Sequence, residues 1–151
     1  VDALIMSSPA LDPGLSRFQK FLVQVLPRIA PDLRVGNGVK PQFISHDPAV
    51  VAAYRSDPLV HDRISARLAR FIAEASAQTV TLAAQWKVPT LLMYAGSDHL
   101  LNPQGSRTFA ANAPKKLVTA VCFEDLYHEI FNETDAAPVF ATLKTWLDQR
   151  T

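Results

Sequence analysis

The stretch Thr90-Leu91-Leu92-Met93-Tyr94-Ala95, closed by the turn Gly96-Ser97-Asp98, decides the fold class. It is apolar at odd and even positions alike. A strand with one wet face alternates, so this one is read as buried on both faces, as in a parallel sheet covered by helices. Upstream, Asp62–Trp86 carries Ile64, Leu68, Phe71, Ile72, Ala75, Val80 and Leu82 at helical spacing and ends at Lys87-Val88-Pro89. Downstream, Asn102-Pro103 makes a cap and first position for a helix over Gln104–Asn112. A second strand follows at Leu117–Phe123, then a loop over Glu124–Asn132 and an amphipathic helix over Ala136–Gln149 with Val139, Phe140, Leu143, Trp146 and Leu147 on one side.

The N-terminal part reads differently. Val1–Ser7 is a short apolar strand that stops at Ser7-Ser8-Pro9, and Pro13-Gly14 breaks the chain again. Ser16 is placed to cap a helix bearing Phe18, Phe21, Leu22, Val25, Leu26 and Ile29, which Pro27 should kink or end. The stretch from Pro31 to Pro48 is expected to be irregular, the composition of a lid or binding loop. Asp47-Pro48 opens a further helix through Tyr54, and Ser56-Asp57-Pro58 closes it. Strands alternating with helices give an α/β fold with a mostly parallel sheet. Three strands leave a sheet edge in want of a neighbour.

Composition excludes several classes. Hydrophobic residues make up 48% and charged residues 19% of the 151, which suits a packed core rather than disorder. Fifteen Lys and Arg against fourteen Asp and Glu give a net charge of +1, and no basic run exceeds Lys115-Lys116. Nucleic acid is therefore not an expected partner. No apolar run is long enough for a membrane span. The single cysteine, Cys122, excludes an internal disulfide framework, and no His/Asp/Glu cluster has metal-ligand spacing, so neither metal nor cofactor is expected. The lone cysteine, with no signal-type segment at Val1-Asp2, sets the expectation of a cytoplasmic setting.

In open parallel sheets the working groups collect at the carboxyl ends of the strands. Asp98 lies just past one strand and His128 in the loop past the next. Adjacent strand ends would bring a carboxylate to an imidazole, a pairing that fixes the imidazole tautomer and supports the imidazolium. Spacing alone leaves a second reading open: Asp98 capping its own turn and His128 a half-buried loop residue.

The motifs add to this. Val88–Asp98, continued by Asn102-Pro103-Gln104-Gly105-Ser106, resembles the strand-turn-acid segment of α/β-hydrolases. Tyr127-His128-Glu129-Ile130-Phe131-Asn132-Glu133 resembles the catalytic-histidine segment of the monoacylglycerol lipase and lysophospholipase branch, which includes serine aminopeptidase S33-like proteins. Ser56-Asp57-Pro58-Leu59-Val60 is similar to the point where that branch returns from its cap, and Val1–Leu11 to the strand after the nucleophile helix. The resemblance covers the whole chain in order. It implies the C-terminal part of an α/β-hydrolase fold, a mostly parallel sheet with flanking helices and a helical cap insertion. Residues 1–12 would be a core strand and exit loop, 13–57 the cap and 58–151 the rest of the core. It implies a Ser-Asp-His triad with Asp98 as acid and His128 as base. No Gly-x-Ser-x-Gly elbow occurs, so the nucleophile and oxyanion hole are expected upstream of Val1. Asp125 and Ala95 stand where the family often has glycine.

The implied activity is hydrolysis of carboxylic esters with a lipid-like acyl group. The alternatives are a proline-releasing aminopeptidase or a small-ester or C–C hydrolase on the same fold, and a non-catalytic hydrolase-like binding domain. The cap candidates for the acyl chain are Phe18, Phe21, Leu22, Val25 and Phe43. Peripheral membrane contact through the cap is a further expectation. So is a partner along the free sheet edge, either the N-terminal half or another chain. Ser7, Ser8, Ser97 and Ser106 are read as turn or cap residues and His99 as a solvated loop residue. His46 and His61 are read as surface residues with substrate contact as the other option, Cys122 as a core residue, and Glu129 and Glu133 as solvated charges.

Overall fold

The computed structural model describes residues 1–150. Its sheet has three parallel strands in the order β1 (Leu4–Ser7), β4 (Thr90–Ala95), β5 (Val118–Phe123), with Leu4 opposite Thr90 and Thr90 opposite Val118. All six β4 residues are buried. Leu92 and Tyr94 pack on one face with Leu11, Ala83 and Phe109, and Leu91, Met93 and Ala95 on the other with Ile130, Val139 and Trp146. The first face is covered by α4 (Gln104–Asn112) and the second by α5 (Ala137–Asp148). Period-two side-chain alternation in a strand apolar on both parities is what fills these two layers. Among the described strands, β1 pairs only with β4, and its Ile5 is exposed.

Between β1 and β4 the chain leaves the sheet. Ser16 caps α1 (Arg17–Ile29) in a reciprocal capping box with Gln19, and Pro27 is followed by only two more helical residues. A short turn at Pro41–Phe43 and the helix α2 (Pro48–Ser56), capped by Asp47, follow.

Two expectations are corrected here. The stretch after Pro31 is not wholly irregular, and residues 62–65 are not helical. β2 (Arg34–Gly36) pairs antiparallel with β3 (Arg63–Ser65), and the Asn37 amide groups close the pair on the carbonyls of Asp62 and His61. Ser65 explains the boundary: its extended backbone ends the strand while its Oγ caps α3 (Ala66–Thr81) by accepting the Leu68 N–H. Leu68, Phe71 and Leu82, read as part of the buried face of that helix, are exposed, as are Phe140 and Leu147 of α5. In α3 the buried positions are Ala66 and Ser76, and the Ser76 hydroxyl donates to the Ala10 carbonyl. Small residues let the helix approach the β1 exit loop.

Candidate functional site

The site begins with a glycine. Gly96 ends β4, and its N–H donates to the Phe123 carbonyl at 2.8 Å. A Cβ there would lie 2.5 Å from the Glu124 Cα, so only glycine lets the ends of β4 and β5 run this close. Each strand then releases one loop at the same carboxyl end of the sheet. Asp98 is on the first, with its side chain 4% exposed, and His128 on the second, at 28%.

Asp98 Oδ2 sits 2.8 Å from His128 Nδ1, and Asp98 Oδ1 accepts the N–H groups of Leu100 and Leu101 at 2.8 and 3.0 Å. The two readings of the sequence therefore meet in one residue: Asp98 caps its own turn with one oxygen and holds the histidine with the other. A carboxylate only accepts, so Nδ1 carries the proton and donates, which leaves the Nε2 lone pair free to take a proton.

The histidine loop is pinned from behind. Glu133, read as a solvated charge, has a fully buried side chain. Its Oε1 accepts the Tyr127 N–H at 2.7 Å and the His46 ring at Nδ1 at 2.9 Å, and its Oε2 accepts the His46 N–H at 3.1 Å. Burial works against its charge, but these three donors outweigh it and hold the carboxyl below its usual range. The flanking segments also join: the Glu129 N–H donates to the Ile44 carbonyl at 2.8 Å, and the Ser45 hydroxyl to the Asn132 carbonyl at 2.8 Å. Around them the rings of Phe43, His46, His99 and Tyr127 cluster: His46 stacks on Tyr127 at 3.6 Å between centroids, Phe43 and His99 meet Tyr127 edge-on, and Phe43 and His99 lie tilted against each other. The sequence signal for Glu133 was its place in the histidine motif; its burial depends on residues some ninety positions away.

His128 opens onto a cavity of about 710 Å³ whose wall is largely apolar and includes Leu22, Leu26, Ile72, Leu100 and Leu101. Residues 1–135 match the family described as serine aminopeptidase, S33. The chain belongs to the serine aminopeptidase S33 family.

The S33 chain has the α/β-hydrolase fold. It is 33% identical to the crystal structure of a monoacylglycerol lipase from Paleococcus ferrophilus, with a TM-score of 0.93, covering 100% of this chain and 60% of that one. It is 31% identical over 148 residues to a monoacylglycerol lipase of Mycolicibacterium smegmatis, covering 96% of this chain and 52% of the relative. It is 28% identical over 152 residues to a phospholipase of Bacillus subtilis, covering 99% and 59%. The chain thus spans little more than half the length of these relatives.

The remaining candidates of the S33 chain fall as follows. Of the five cap residues, Leu22 lines the cavity, with its neighbour Leu26 one turn on. Phe18 and Phe21 are 68% and 59% exposed, Val25 lies outside the cavity wall, and Phe43 packs on His99 and Tyr127. Ser8 is buried at a positive φ of 37°, and its Oγ accepts the Ala95 N–H at 3.4 Å. Ser97 donates to the Glu124 carbonyl, and Ser106 is buried in α4. His61 is exposed, and its carbonyl is bonded by Asn37. Burial, reinforced by its hydrogen bond to Glu124, pushes the Cys122 thiol up. Among the described residues no cluster of three metal-ligating side chains exists, and no helix is long and apolar enough to cross a membrane.

Proposed function

We propose that the protein carrying this chain hydrolyses carboxylic esters with a lipid-like acyl group, of the monoacylglycerol or lysophospholipid type. One observation carries the reading: an Asp98–His128 pair with a free Nε2, at the wall of an apolar cavity. The lipase names of the relatives support it. A serine from outside these 151 residues attacks the ester carbonyl, and His128 Nε2 takes its hydroxyl proton. Asp98 holds the ring and stabilises the imidazolium. The same proton passes to the leaving alcohol as the carbonyl–oxygen bond breaks and the acyl-enzyme forms. Water then attacks the acyl-enzyme, giving a proton to His128, which passes it to the serine oxygen as the acyl–oxygen bond breaks and the acid and the free serine are released.

In this reading residues 13–57 form the cap, with Leu22 and Leu26 against the acyl chain. Exposed Phe18 and Phe21 beside Arg17 and Lys20 touch a membrane surface peripherally from the cytoplasm. The free edge of β1 takes a strand from the rest of the protein. The test is hydrolysis of a medium-chain monoacylglycerol by the full-length protein, beside a proline p-nitroanilide. Turnover of the first, lowered about 10⁴-fold by Asp98→Asn, supports the ester reading. Turnover of the second alone makes it a peptidase, and turnover of neither, with no labelling by a serine-directed fluorophosphonate, makes it a binding domain.

A further inference from the structure

Glu133 is a buried carboxylate serving two segments far apart in sequence. One donor, the Tyr127 N–H, belongs to the Leu126–Tyr127 peptide, one peptide before the one that enters His128, so the bond at 2.7 Å anchors the backbone one residue ahead of His128. The other two donors, the N–H and ring Nδ1 of His46, come from the segment between Pro41 and Pro48. Tyr127 is gripped a second time, because its ring stacks on that of His46. A buried carboxylate is costly unless its donors are all present. Glu133 is fully satisfied only when His46 is seated, and the same oxygen that receives His46 Nδ1 also receives Tyr127. Seating of the cap segment and placement of the imidazole are thereby linked through one side chain.

We infer that Glu133 is a positioning residue for His128, and that His46 completes it by bridging the cap segment to the histidine loop. The inference rests on the proposed hydrolase reading, because it gives His128 a proton to carry. Glutamine cannot replace the carboxylate. With its oxygen toward Tyr127 its amide faces the His46 N–H, and with its oxygen toward the His46 N–H its amide faces Tyr127. Either way a backbone donor loses its acceptor.

The experiment uses the full-length protein and a p-nitrophenyl ester, with the rate of fluorophosphonate labelling as a second readout. An imidazole misplaced by about 1 Å costs on the order of 10²-fold. Glu133→Gln is therefore expected to lower kcat and the labelling rate by up to that factor with KM unchanged, the pattern of an interaction used in the transition state alone. His46→Ala, at a side chain 43% exposed, should fold normally and show a smaller loss of the same kind. His46→Asn, whose amide nitrogen can take the place of Nδ1, should restore kcat. If Glu133→Gln does not fold, the His46 pair decides. The inference falls if His128→Ala is inactive while Glu133→Gln and His46→Ala turn over normally, if KM rises in place of the fall in kcat, or if His46→Asn is no better than His46→Ala. If His128→Ala itself turns over normally, the hydrolase reading falls and this inference with it.

Discussion

Gly96 and Glu124 touch where a side chain cannot go: a Cβ on Gly96 would lie 2.5 Å from the Glu124 Cα and 2.8 Å from its carbonyl oxygen. The Glu124 Oε2, also at 2.5 Å, can swing away, but the other two obstructing atoms are backbone, so a larger residue must push the ends of β4 and β5 apart. Those ends carry the loops of Asp98 and His128. Gly96→Ala is therefore expected to cost about 1–3 kcal/mol, the range for overpacking a closed site. It should also lengthen the Asp98–His128 hydrogen bond. Chemical denaturation reads the first effect and the fall in turnover of the full-length protein the second. An alanine variant of unchanged stability and activity would mean that the two strand ends do not need their close approach.

The loop that holds Asp98 is tied down at its far end. Asn102 Nδ2 donates to Asp12 Oδ2 at 2.7 Å, its own N–H donates to the Asp12 carbonyl at 3.0 Å, and its Oδ1 accepts the Gln104 N–H at 3.1 Å at the start of α4. Asn102→Ala removes the cap and the side-chain tie but keeps the backbone bond. A loss of about 1 kcal/mol is expected, typical of a helix cap. Asn102→Asp keeps the cap but sets two carboxylates against each other, so it should be the worse variant at neutral pH and recover as the pH is lowered. Thermal midpoints at neutral and acid pH test the order.

Glu133 predicts a pH dependence of stability with a definite sign. Its carboxyl is held below its ordinary value of 4.5, because three donors outweigh the burial that opposes its charge. Between the folded and the ordinary value the unfolded chain binds more protons than the folded one, so stability rises with pH there. The contribution is complete above pH 4.5 and is lost as the pH falls through the lower, folded value. Glu133→Gln carries no such titration. Its denaturation midpoint should lie below that of the unsubstituted protein at neutral pH, and the gap should narrow in acid. A gap that stays constant from neutral pH into acid removes the carboxylate from this role.

The core and the juxtaposition of Asp98 with His128 were legible because local signals agreed with the global arrangement. Thr90–Ala95 is apolar at every parity because both of its faces are covered, and Gly96 and Asn102-Pro103 mark how it ends. Asp98 and His128 were singled out by their places past adjacent strand ends, which left a second reading open, and the resemblance of their segments to the hydrolase motifs favoured the pairing. The β2–β3 pair was not legible: three residues a side, half polar, give no periodicity, and the pairing joins positions some thirty residues apart. The exposed faces of α1 and α3 were misread for another reason. Phe18, Phe21, Leu68 and Phe71 have helical spacing, but α3 faces inward with Ala66 and Ser76 and α1 turns Leu22 and Leu26 to the cavity, and spacing does not say which side that is. Glu133 was hidden by the usual habit of charged residues to stay in water. Its partner His46 lies beyond any local window.

The edge of β1 gives a last prediction. Its side toward β4 is fully registered from Leu4 to Ser7, while its other side carries unpaired backbone groups and leaves Ile5 41% exposed. A strand edge with apolar side chains pairs with whatever strand is offered. The chain spans 52–60% of the relatives described above, so in the full-length protein the proposed occupant is a strand of the remaining sequence. Residues 1–151 expressed alone should then satisfy that edge with a second copy or aggregate. They should also take up no serine-directed fluorophosphonate, because neither Ser8 nor Ser97 is hydrogen-bonded to His128: Ser8 Oγ accepts the Ala95 N–H and Ser97 Oγ donates to the Glu124 carbonyl. Light scattering gives the mass and labelling gives the nucleophile. Co-expression with the remaining sequence should restore a single soluble species that labels. A monomer of residues 1–151 that labels, and stops labelling on His128→Ala, would place the nucleophile within this chain and overturn both the edge argument and the proposed origin of the serine.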